Sequence, residues 1–227
     1  MNMKRLAFSS LLIAFVLLFL GCKKDNFDSP KSILTGKVVY NGNPVGVRSS
    51  GTELELWQYG YALRSKIPVY IAQDGTFSAL LFDGSFKLVR KTGGPWIDQK
   101  TDSIDVVVNG QTEIEVPVTP YFTITEEVFN NASGVITSSC MVKKIGTFNI
   151  QSLTLYIGIT SIVDANNNVS TNVIGAEGLV DLDTKKDQSI TLSAALAARD
   201  YIYTRIGVQT SGVGERLYGP VQKIKLK

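Results

Sequence analysis

Two stretches decide the fold: Leu34–Val47, "LTGKVVYNGNPVGV", and Tyr70–Val89, "YIAQDGTFSALLFDGSFKLV". In the first, a β-branched run stops at Asn41-Gly42, a dipeptide that accepts positive φ at both positions, and resumes at Pro44-Val45, which predicts a hairpin. In the second, Asp74-Gly75 and Asp83-Gly84 flank "TFSALLF", predicting a strand pair joined by tight turns. Working outward, "TELELW", "PVYIA", "SFKLVRK", "DSIDVVV" and "TEIEVPV" have strand length and period-two alternation. Gly93-Gly94-Pro95 and Asn109-Gly110 punctuate them. With no comparable amphipathic helix, the pattern predicts a β-sandwich over residues 32–119.

Pro117-Val118-Thr119-Pro120 ends this half, because two prolines within four residues interrupt strand pairing. Beyond it, "SSCMVKKI", "SLTLYIGIT", "NVSTNVIG", "SITLSAAL" and "YIYTRIGVQT" predict a second sandwich over residues 120–227, with Asn166-Asn167-Asn168 as a turn. Alternation places Ile202, Thr204, Ile206 and Val208 on one face of the last of these strands, with Tyr201, Tyr203 and Arg205 on the other. The segment "SAALAARD" also suits one helical turn. The expected fold class is therefore all-β, two β-sandwich domains, each with strands enough for its own core and able to fold separately.

The N-terminus reads "MNMKRLAFSSLLIAFVLLFLGC": Lys4 and Arg5, an apolar segment to Leu20, then Gly21-Cys22. Residues 1–21 are expected to be a secretory signal peptide, too short and too abruptly ended for a spanning helix. The alternatives at its end are an ordinary signal with a chance cysteine, or lipidation of Cys22 followed by a polar tether over 22–31. Losing residues 1–21 removes two basic residues and no acidic one, leaving 21 basic against 20 acidic side chains. Near-neutrality speaks against nucleic acid as a partner. Histidine is absent, which removes Ser-His-Asp and Cys-His catalysis and the commonest zinc sites. Cys140 is then the one remaining thiol, expected to be a small buried hydrophobe.

Candidate binding residues lie in "ELELWQYGYAL". Period two puts Trp57, Tyr59 and Tyr61 opposite Leu54 and Leu56, so the rings either face outward, where they can stack on a sugar ring, or pack against the second half or fill the core. Trp96, in "GGPWID", is expected to extend the platform. Asp164-Ala165-Asn166-Asn167-Asn168 has the opening spacing of a calcium loop, but Gly175 stands where a bidentate Glu is needed, so a hairpin turn is the expected reading. Asp181, Asp183 and Asp187 are interrupted by Lys185 and Lys186 and suit a solvated loop. The carboxylate pairs Glu53/Glu55, Asp102/Asp105, Glu113/Glu115 and Glu126/Glu127 carry nothing that marks a glycosidase centre. Neither a metal nor another cofactor is expected, and the chain reads as a non-enzyme.

Several motifs resemble known families. Gly21-Cys22 resembles the lipobox of bacterial lipoproteins, which implies lipidation of Cys22, and "KKD" after it partly resembles a Bacteroidetes surface-export signal. The elements "LTGKVVYNGNPVGV" and "YIAQDGTFSALLFDGSFKLV" resemble the carboxypeptidase-regulatory-like, or transthyretin-like, sandwich, in which they build turns and core. Residues from Leu192 onward resemble the final strands of a fibronectin-type-III, Ig-like sandwich, with Ile202 where that fold usually has its corner tyrosine. Asp102-Ser103-Ile104 resembles the Bacteroidetes O-glycosylation acceptor, which implies Ser103 as the modified residue. The whole chain resembles a domain-of-unknown-function family of Bacteroidetes outer-membrane lipoproteins whose genes lie beside those of SusD-like proteins and TonB-dependent transporters. That resemblance implies a lipid-anchored protein at the cell surface, in the outer membrane, serving as an accessory glycan-binding or scaffold component of polysaccharide uptake. Its implied partners are the membrane, a polysaccharide, a SusD-like protein and a TonB-dependent transporter. The alternative is a structural or adhesion module that binds protein partners.

Overall fold

Nine residues of alternating burial, Ser32–Tyr40, form β1, the strand on which the first half is built. In the computed structural model, which describes residues 28–60, 65–99 and 102–227, β1 pairs antiparallel with β2 (Asn43–Pro44) and β5 (Thr76–Leu81), and parallel with β8 (Gln111–Pro117). Asn41 and Gly42 both have positive φ, 50° and 76°, so the Asn-Gly turn forms as its sequence predicts. The facing sheet runs in the order β4 (Lys66–Tyr70), β3 (Glu53–Gln58), β6 (Gly84–Arg90), β7 (Ser103–Val108), all antiparallel. Leu34, Val38, Leu54, Leu56, Phe86 and Val116 interleave between the two sheets. At the pole where β1 begins, Asp83 Oδ1 accepts from Ser32 Oγ at 2.5 Å and from the Gly110 N–H at 3.0 Å, tying two turns to the first strand.

The second half is also two-layered. One sheet contains β9 (Phe122–Ala132), β10 (Val135–Lys144) and β13 (Lys186–Thr191), in the order β13-β10-β9. The other orders β12 (Ser170–Gly175), β11 (Ile150–Gly158) and β14 (Tyr201–Thr210), with β15 (Leu217–Tyr218) and β16 (Gln222–Lys225) both pairing the far edge of β14. The "SAALAARD" segment contains a single turn of helix, α1 (Ala194–Ala197), whose Ser193 hydroxyl accepts from the Leu196 N–H. Ile202, Thr204, Ile206 and Val208 are all buried on the core face, as their alternation requires. Ile202 packs fully buried in this core. Burial pushes the Cys140 thiol up to about 12, and the side chain lies in the same core as a small apolar group. Among the described residues, no helix is long and apolar enough to cross a membrane.

The two halves pack against each other along a seam. Lys31–Lys227 packs as one compact unit. Val118 is buried in the first core and Tyr121 in the second, so only two residues separate the cores along the chain. Leu217, from β15, completes the first core rather than its own, while the Tyr218 N–H donates to Gly46 O at 3.0 Å. Arg48 and Glu215 form an ion pair across the same seam, with contacts of 3.2 and 2.5 Å. At the centre lies Arg205, 1 % exposed. Its Nε donates to Gly219 O at 2.8 Å, Nη1 to Val47 O and Val163 O at 3.1 Å each, and Nη2 to Gln73 O at 2.6 Å. These carbonyls belong to both halves, and the guanidinium also stacks 4.4 Å from the Tyr218 ring centre. The two halves therefore meet along a shared seam built around Arg205.

Replacing Arg205 with lysine tests that seam. An ammonium group cannot reproduce a planar fork that serves four carbonyls, and the buried acceptors left behind are costly. Arg205→Lys is expected to lose on the order of 2–5 kcal/mol in chemical denaturation. A loss below about 0.5 kcal/mol, the range of a surface substitution, would show that the seam does not depend on it.

Candidate functional site

The outward face of the β4-β3-β6-β7 sheet presents the aromatic residues read from the sequence. Leu54 and Leu56 point into the first core, so period two turns Glu53, Glu55 and Trp57 outward. Register sets Trp57 between Lys66 on β4 and Lys87 on β6, with Asp105 beyond Lys87 on β7. Two residues further on, Tyr59 is 54 % exposed, with Lys87 Nζ 6.0 Å from its ring centre. At the other end of the face Tyr70, 56 % exposed, lies opposite Glu53. Between them, Lys66 contacts Glu55 at 2.7 Å and Glu53 at 3.4 Å, Lys91 contacts Glu53 at 2.6 Å, and Lys87 contacts Asp105 at 2.6 Å. The Lys91 hydrogen bond holds the Glu53 carboxyl below its ordinary range, and the bonds to Glu55 and Asp105 raise Lys66 and Lys87. From Tyr59 to Glu53 the face spans six strand positions, roughly 20 Å.

Of the three rings on this strand and its continuation, Tyr59 is exposed and Trp57 half-buried. Tyr61 lies outside the described residues, as do Cys22 and residues 1–21. Trp96 corrects the sequence reading. It is 1 % exposed and belongs to the first core. The "GGPW" loop closes over the chain's exit from this half, with the Ile97 N–H donating to Thr119 O at 2.8 Å. A Cβ on Gly94 would meet the Trp96 ring at 2.7 Å, so the glycine that reads as loop punctuation is what lets the indole fold inward. Ser103 begins β7 half-buried on the aromatic face, opposite Val89.

Other candidates are absorbed by their surroundings. Asp164 is fully buried, and its Oδ1 accepts from the N–H groups of Asn166 and Asn167 at 2.8 and 2.9 Å, which makes the loop an Asx turn. Among the described residues no group of three or more His, Cys, Asp or Glu side chains could hold a metal ion. Asp102 pairs with the buried Arg90 at 2.7 Å, and Glu126 with Lys185 at 3.0 Å.

The seam between the halves opens on one side into a cleft of about 980 Å³, bordered by Tyr40, Asn43, Asp74, Thr123, Lys143 and Tyr218. Behind its wall lies a carboxyl that sequence reasoning missed. Ser139 pairs with Val128 but Met141 with Thr125, so Glu126 and Glu127 together oppose Cys140 in a bulge, with Glu126 at φ 53°. The bulge turns Glu127 inward, where Gly219 leaves room for it; a Cβ there would collide with the carboxylate. Burial raises the Glu127 carboxyl to about 7, partly opposed by Arg205. The Arg205 guanidinium falls to about 10 through burial, held up by Tyr218, Asp164, Glu127 and Asp74, so it stays cationic at neutral pH.

The fold and this site define a class: a two-sandwich β protein with an aromatic, ion-paired sheet face. Residues 32–119 match the N-terminal domain of a protein family of unknown function, DUF3823, and residues 122–223 match its C-terminal domain. The chain belongs to the DUF3823 family. Solved structures agree. A DUF3823 protein from Bacteroides ovatus is 37% identical with a TM-score of 0.82, and one from Parabacteroides merdae is 32% identical with a TM-score of 0.79. Each covers 87% of this chain and 100% of its own. A third structure, of a "putative carbohydrate binding protein" from Bacteroides uniformis, is 20% identical over the same shares with a TM-score of 0.71, and shares the fold. No curated protein matches the chain.

Glu127 gives a pH signature. Its folded value, about 7, lies above the ordinary 4.5, so the folded chain keeps a proton that the unfolded chain releases. Its contribution is fully present below about 4.5 and is lost as pH rises through about 7. Glu127→Gln, which stays neutral, is expected to flatten the fall in melting temperature between those values. Identical pH profiles for the two proteins would refute a buried, titrating Glu127.

Proposed function

We propose that this chain is a non-enzymatic carbohydrate-binding protein that holds polysaccharide against the outward face of the β4-β3-β6-β7 sheet. The observation that carries the proposal is the placement of Trp57 and Tyr59 on one outward face among paired lysines and carboxylates. A ring face stacks on the C–H face of a sugar while neighbouring donors and acceptors engage its hydroxyls. The Bacteroides uniformis protein described as a putative carbohydrate binding protein, which has the same fold, supports the same direction. A polysaccharide-binding role fits a protein lipidated at Cys22 and held at the cell surface of the outer membrane, acting beside a SusD-like protein and a TonB-dependent transporter as an accessory component of uptake.

Replacing Trp57 with alanine tests the face. Trp57→Ala is expected to abolish retention on the cognate polysaccharide in affinity electrophoresis at a stability cost of about 1 kcal/mol or less, since the ring lies outside the core. Trp96→Ala, by contrast, should cost roughly 3–5 kcal/mol because it empties a core position. Unchanged retention by Trp57→Ala would remove the face from consideration, and failure to bind any glycan in a broad panel would favour a protein partner. Lipidation is tested separately by metabolic labelling with a clickable fatty acid. Label should be present in the wild type and absent after Cys22→Ser; equal labelling of both would refute the anchor.

A further inference from the structure

We propose that the aromatic face selects neutral polysaccharides over acidic ones, an inference that rests on the glycan-binding reading above and assigns its ligand class. Among the described residues, the charged groups beside Trp57 and Tyr59 are already matched. Lys66 is shared by Glu55 and Glu53 at 2.7 and 3.4 Å, Lys91 holds Glu53 at 2.6 Å, and Lys87 holds Asp105 at 2.6 Å. The Glu53 and Glu55 side chains are 12 % and 16 % exposed, covered by lysines that remain 44–48 % exposed. Among the described residues, three cations and three carboxylates therefore present alternating signs that balance across this face.

An acidic polymer gains little from such a face. To reach Lys66 or Lys91, a uronate or sulfate must displace a carboxylate that is already in contact, or lie beside it as a like charge. A neutral sugar meets the opposite situation. Each lysine–carboxylate pair sets a donor next to an acceptor, so one hydroxyl of a vicinal pair accepts from the ammonium while its neighbour donates to the carboxylate. The ring faces of Trp57 and Tyr59 complete the contact through the sugar's C–H surface and ask for no charge.

The test is affinity electrophoresis of the full chain in gels containing galactomannan, xyloglucan or laminarin as neutral polymers and polygalacturonate or chondroitin sulfate as acidic ones, each at low and high salt. Expected are retardation by at least one neutral polymer, insensitive to salt, and none by the acidic polymers. The double variant Glu53→Gln/Glu55→Gln uncovers Lys66 and Lys91 on a solvent-facing sheet surface. It is expected to gain salt-sensitive retardation in polygalacturonate, with a melting temperature checked in parallel. Retardation of the wild type by an acidic polymer would overturn the neutral preference while leaving the glycan-binding reading in place. A folded double variant that ignores polygalacturonate would overturn the assignment of selectivity to these ion pairs. No retardation of the wild type by any polymer would overturn the glycan-binding reading and the preference with it.

Discussion

Arg205 is the constraint on which the arrangement of the two halves depends. A guanidinium has five N–H donors in a fixed plane, and here four of them are spent on backbone carbonyls of Val47 and Gln73 from one half and Val163 and Gly219 from the other. Burying a cation without a contacting carboxylate is expensive, and the structure answers with carbonyl dipoles, the Tyr218 ring, and more distant acidic groups. Because those carbonyls lie in loops, the arginine also fixes loop positions that no sheet ladder holds. Leu217 and the backbone bond from Tyr218 to Gly46 then have a defined place to dock.

Much of the fold is legible in the residues themselves. The Asn41-Gly42 turn follows from φ tolerance, and the alternation from Ile202 to Val208 follows from a strand whose inward face meets a core. Arg205 shows where such reasoning stops. Period two puts it on the face opposite Ile206, and that is correct, but alternation does not say that the first half covers this face. Whether a strand's second face is wet depends on contacts between residues more than a hundred positions apart. Alternation carries no such information.

Trp96 and Glu127 fail for different physical reasons. Trp96 follows Gly93-Gly94-Pro95, which reads as an exposed loop, yet the same glycine that frees the loop also removes the side chain that would keep the ring out. Glu127 lies in a strand whose burial parity changes midway: Phe122 and Ile124 face the core before the bulge, Phe129 after it. One extra residue flips every later side chain to the other face. A strict alternation through "FTITEEVFN" therefore assigns Glu127 to solvent. The signal that was available is the pair of consecutive glutamates interrupting an otherwise β-prone run, with Glu126 in a left-handed conformation that few residues other than glycine adopt.

The aromatic face was legible for the opposite reason: it is local. Trp57 shares a strand with Leu54 and Leu56, with Tyr59 just past its end, and once the leucines are core the Trp57 ring must face away from it. What the sequence could not supply is the partnering of Glu53 and Glu55, because Lys66 and Lys91 reach them only through the antiparallel register of three strands. That register converts scattered surface charge into an ordered array of donors and acceptors on a sheet. Binding to such a surface orders few protein groups, so less of each contact is lost to entropy than on a mobile loop. At the seam Arg205 ties carbonyls of both halves together, so the sheet that carries the face and the second half belong to one compact unit.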